Sequence, residues 1–138
     1  MTQIFVVLMG ALTAGALFSP RVHAQLNSPG QKATRVQITE GPSIELVRDN
    51  WAIITWTSNN PGGSPEHFAV VHYGKAPTEL SQTAKSHIRL NPGHSHTVFR
   101  VRVTGLEPHT TYYYSVDSEE PNGTSNGVKS PVKTFSTQ

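Results

Sequence analysis

The clearest alternation of apolar and polar positions runs from His96 to Thr104. Thr97, Phe99, Val101 and Val103 fall on one face. His96, Arg100 and Arg102 fall on the other, interrupted only by Val98. A period of two residues predicts a strand with one buried face. Similar runs recur along the chain. Trp51–Thr57 places Ala52, Ile54 and Trp56 opposite Trp51, Ile53 and Thr55. His67–Tyr73 places Ala69, Val71 and Tyr73 opposite Phe68, Val70 and His72. Further strands are predicted at Arg35–Thr39 with a continuation at Ser43–Val47, at Lys85–Leu90, at Thr111–Asp117 and at Val132–Ser136. Between them stand turn formers: Arg48-Asp49-Asn50, Ser58–Pro65, Asn91-Pro92-Gly93 and the polar stretch Ser118–Lys129. No segment repeats at the helical period. Seven short strands at this spacing predict an all-β sandwich.

The beginning of the chain follows another pattern. Ile4–Phe18 is an apolar run of about fifteen residues, short of the roughly 20 that a membrane span needs. Val22-His23-Ala24 then supplies a cleavage-site pattern, so residues 1–24 read as a secretory signal peptide cut after Ala24. The n-region Met1-Thr2-Gln3 lacks Lys and Arg, and an uncleaved anchor is the competing reading. Residues 25–32 form a polar leader, and residues 33–138 form the domain. The expected location is secreted or periplasmic, off the membrane once the leader is cut.

Composition narrows the chemistry. Gly 11 and Pro 10 in 138 residues favour turns over helices. Cys 0 excludes disulfides, thiol catalysis and cysteine-ligated metal. A net charge of +2 is only weak support for nucleic acid as a partner, and none is expected. There is no Gly-x-Ser-x-Gly elbow and no phosphate-cradling Gly-rich loop. The carboxylates are scattered, and Glu119 and Glu120 sit side by side in a predicted loop. No catalytic residue and no cofactor are expected. Asn122-Gly123-Thr124 matches a glycosylation acceptor, and the expected reading is a simple turn.

Two groups of residues are candidates for binding. His94 and His96 are two apart and point the same way on an extended chain, so they are able to share a divalent ion, with His87 as a third ligand. Surface histidines are the competing reading. Arg100 and Arg102, with His96, make a basic stripe that would meet a protein or a polysaccharide, with Trp51 beside it unless the N-terminal strand covers that ring; a solvated face is the competing reading.

The segment Val103–Val116 carries a resemblance. Leu106, Pro108, Thr110, Tyr112, Tyr114 and Val116 resemble the corner between the fifth and sixth strands of fibronectin type III domains, with Trp56 at that family's core tryptophan. Pro108 would fix the turn, Leu106 would plug the core, and Tyr112 would return its hydroxyl to the backbone near the corner. Tyr73 and Tyr114 join the expected core. His109 stands where the family usually has glycine, which is tolerable only if that residue is not left-handed. More narrowly, Val71-His72-Tyr73-Gly74, His94-Ser95-His96 and Thr111–Tyr114 resemble the N-terminal domain of purple acid phosphatases.

That resemblance implies a sandwich placed ahead of a metallophosphoesterase domain, and it does not carry activity. The family's metals belong to the second domain. Of its motifs only Gly93-His94-Ser95-His96 has a superficial match. The expected function is a secreted, non-catalytic accessory module. One alternative is the N-terminal part of a purple acid phosphatase-like enzyme. Another is a weak metal-binding protein using His94 and His96.

Overall fold

The computed structural model describes residues 33, 36–61, 68–88, 94–125 and 127–138. The predicted signal peptide, the leader, His67 and the Asn91-Pro92-Gly93 turn lie outside the described residues. Seven strands follow in order: β1 (Ile38–Val47), β2 (Trp51–Ser58), β3 (Phe68–Gly74), β4 (Gln82–His87), β5 (Thr97–Thr104), β6 (Thr111–Glu119) and β7 (Lys133–Ser136). They form two antiparallel sheets, with strand orders β1-β2-β5 and β4-β3-β6-β7. This is the arrangement of a seven-stranded fibronectin type III-like sandwich. No helix among the described residues is long and apolar enough to cross a membrane.

Alternation builds the core. The inward positions of β2 and β5 meet those of β3 and β6, and Leu106 and Phe135 close the same cluster. Trp56 and Phe99 are neighbours across the β2–β5 register, and their rings stack at 5.0 Å. Tyr112 packs between Tyr73 and Phe135, at 6.2 and 5.6 Å between ring centres. Such pairs add to the area that they bury. At the corner, the backbone N–H of Glu107 donates to the Tyr112 hydroxyl at 2.9 Å.

Several local expectations need correcting. The two pieces expected at Arg35–Thr39 and Ser43–Val47 are one strand, β1. Gly41-Pro42 does not end it, because register shifts against β2 absorb the extra residues. Gly41 itself sits at φ +79°, a conformation open to glycine. The strand expected at Lys85–Leu90 begins earlier, at Gln82, because it pairs with Phe68–Tyr73. β6 continues to Glu119, so that carboxylate stands on a strand and not in a loop. His109 is left-handed, with φ 50°. Its backbone N–H bonds Gln138 O at 3.1 Å, which ties this corner to the end of the chain.

Gly74 ends β3 for a steric reason. A Cβ at that position would run into the carbonyl oxygen of Glu79 in the following turn. Only glycine lets the two stretches of backbone approach so closely.

Candidate functional site

The outer face of the three-stranded sheet is built by β2 and β5. Register places Ile53 beside Arg102 and Thr55 beside Arg100. Arg102 reaches diagonally and lays its guanidinium 4.2 Å above the Trp51 ring. Trp51 is half-buried and lies against this stripe. Arg100 reaches the other way, across β2, and grips Glu45 of β1 with two bonds of 2.7 and 2.8 Å. These hydrogen bonds hold the Glu45 carboxyl below its ordinary range and raise the Arg100 guanidinium above its own. Ile53 is 8% exposed in the middle of this face. The stripe is therefore less basic than the sequence suggests, because Glu45 offsets one of its two arginines. That carboxylate is fifty-five residues away in sequence and left no local signal.

The histidines take three separate places. His94 and His96 stack, with ring centres 6.0 Å apart. His87, at the end of β4, leans on Phe68 at 4.6 Å. All three line one groove of about 630 Å³ between β4 and β5, together with Val98, Phe99 and Arg100. Among the described residues, no group of three or more His, Cys, Asp or Glu side chains is arranged to hold a metal ion. His109 is exposed at the corner before β6.

His72 belongs to a pair that the sequence did not reveal. Its Nε2 lies 3.1 Å from Oδ1 of Asp117, whose side chain is 2% exposed. The other oxygen of Asp117 accepts from Ser125 Oγ at 3.4 Å. Residues 72 and 117 come together because β3 and β6 are neighbours, with Val70 opposite Asp117 and His72 opposite Ser115. Nearby, Lys85 bonds Glu119 across the same face. Here the carboxylate sits between an imidazole and a hydroxyl. In a nucleophilic triad the imidazole is in the middle, so this arrangement activates no hydroxyl. It pins the β6–β7 connection to the sheet.

Comparison with known proteins agrees with this architecture. The sensor domain of the anti-sigma factor RsgI4 from Pseudobacteroides cellulosolvens matches with a TM-score of 0.51 and 23% identity, over 75% of this chain and 89% of that one. A solution structure of the same sensor domain gives 0.52 and 21%, over 75% of each chain. The third fibronectin III domain of human KIAA0343 is a more distant match, at 0.36 and 16%, over 93% of each chain. The two sensor-domain likenesses concern the fold alone. A sequence search found no match among curated proteins. The family model described as "Purple acid Phosphatase, N-terminal domain" matches residues 39–137, from the second residue of β1 to the end of the sandwich. A match over that span means that the chain belongs to the purple acid phosphatase N-terminal domain family.

Proposed function

We propose that this protein is an exported, non-catalytic accessory module. It would bind a protein or polysaccharide partner through the outer face of the three-stranded sheet. The observation that carries this reading is the half-buried Trp51 ring under the Arg102 guanidinium. An aromatic plane beside an arginine suits both kinds of contact, since such residues dominate binding energy at interfaces. The family match supports the accessory role, because it concerns the N-terminal domain and not the metal-bearing one. The leader, read as cut after Ala24, supports export.

The family match also favours a second reading, in which this sandwich serves as the front part of a phosphatase-like enzyme. The intact mass of the native protein, recovered from its source, separates the two. A stand-alone exported module gives about 12 kDa, in proportion to the 15.0 kDa of the whole sequence. A much larger species containing these peptides assigns the sandwich to an enzyme.

A further inference from the structure

We infer that Asn122 is a self-modifying site: its side-chain amide is lost by ring closure onto the Gly123 nitrogen, and the isoaspartate that results unties the β6–β7 connection from the sheet.

Turn chemistry puts the reactive pair there. The Gly123 N–H donates to Glu120 O at 2.9 Å, and the Glu120 N–H donates to Thr124 O at 2.9 Å. Gly123 is left-handed, with φ +82°. Proline second, asparagine third and a left-handed glycine fourth suit a type I turn that ends in a bulge. The turn thus sets a residue without a Cβ directly after an asparagine. The space beside Gly123 is open, since a Cβ there would meet no atom within 4 Å.

The side chain is placed for closure. Asn122 is exposed, and its Oδ1 accepts the Thr124 N–H at 2.9 Å. This bond makes an Asx turn, which folds the side chain back around the Gly123 peptide. It also fixes which way the amide lies, with Nδ2 turned from Thr124. The Thr124 N–H meets the oxygen that gains negative charge when Cγ is attacked, as a donor in an oxyanion hole does. For the reaction, the Gly123 N–H leaves Glu120 O and gives its proton to hydroxide. The nitrogen lone pair forms a bond to Cγ of Asn122. The Cγ–Nδ2 bond breaks, and Nδ2 departs as ammonia with a proton from water. A second water opens the succinimide at one of its two carbonyls, which leaves aspartate or isoaspartate. In sum, one water is consumed and one ammonia released, and nothing is oxidised or reduced.

The consequence lies in the backbone. Isoaspartate carries the main chain through the side-chain methylene and lengthens it by one carbon. The Glu120–Thr124 bonds and the Glu119–Ser125 bridge close around this turn. Beyond it, Ser125 Oγ donates to the buried Asp117 at 3.4 Å. A longer chain between Glu120 and Thr124 breaks that register and draws Ser125 from Asp117. The new carboxylate also adds like charge beside Glu119 and Glu120.

The test ages the purified, folded chain at mildly alkaline pH. It follows the intact mass and the fragments of the tryptic peptide Val103–Lys129, which separate Asn122 from Asn126. The inference expects a gain of about 1 Da at Asn122, faster at higher pH, with isoaspartate among the products. Asn122→Gln, which cannot close the five-membered ring, should lose the gain at this position and stay folded. In isoaspartate-bearing chains, hydrogen exchange should quicken at Thr124 and Ser125 and stay unchanged in β2 and β5. Asn122→Asp, which adds the charge without lengthening the backbone, should exchange at Thr124 and Ser125 as the fresh protein does. No gain in the folded chain, a gain seen only under unfolding conditions, or a gain confined to other asparagines would overturn the inference. Unchanged exchange at Ser125 in isoaspartate-bearing chains, or equal quickening in Asn122→Asp, would overturn it as well.

Discussion

Tyr112 shows how one residue joins sequence to stability. Its ring fills the core between Tyr73 and Phe135, and its hydroxyl accepts the Glu107 N–H across the corner. Tyr112→Phe keeps the ring and leaves that N–H without its partner. The expected loss is about 1–3 kcal/mol, read from urea unfolding. No loss would mean that the hydroxyl bond contributes nothing. His109 is the opposite case, because its left-handed backbone works against the fold. That conformation costs an L-residue about 1–2 kcal/mol, and glycine gives part of this back as extra entropy in the unfolded chain. His109→Gly should therefore stabilise by about 0.5–1 kcal/mol, and a destabilised variant would contradict this account. The spacing of Leu106, Pro108 and Tyr112 made the corner legible in the sequence. The sign of φ at His109 was not legible, because it depends on how the corner closes on Gln138.

At the scale of elements, strand pairing creates what the sequence could not show. The period-two patterns of β2, β3 and β5 were readable because one face of each is buried. The ends of β1, β4 and β6 were less readable, since pairing with a neighbour carries a strand past its own turn signals. The same pairing brings His72 to Asp117 and Arg100 to Glu45, which are far apart in sequence. Asp117 is buried, so removing its imidazole partner leaves a carboxylate poorly compensated. His72→Phe should cost about 3 kcal/mol, and the double variant His72→Phe/Asp117→Leu should recover most of it. Equal stability of the single and double variants would show that the stranded carboxylate is not the source of the loss. Hydrogen exchange should also quicken around Ser125 in the single variant, because the β6–β7 connection would lose its anchor.

The whole molecule responds to pH through groups at both extremes. Burial pushes the Tyr114 and Tyr73 hydroxyls above their ordinary value of 10.0. Their contribution is fully present below the unfolded value and is lost as pH rises through the folded one. Stability should therefore fall above about pH 10. The Glu45 carboxyl is held low by Arg100, so its contribution is present above the ordinary value of 4.5 and is lost as pH falls through the lower folded value. That contribution is small and should shrink further in salt, because the pair is exposed. A thermal unfolding series from pH 3 to pH 11 checks both limbs, and a flat alkaline limb would contradict the burial of the two tyrosines.

The proposal that matters most is that this sandwich catalyses no chemistry of its own. Hydrolysis of p-nitrophenyl phosphate by purified residues 25–138, with ferric and zinc ions supplied, tests it most directly. The expected result is no turnover above that of the metal ions alone. Turnover that rises with protein concentration and disappears on unfolding would contradict it.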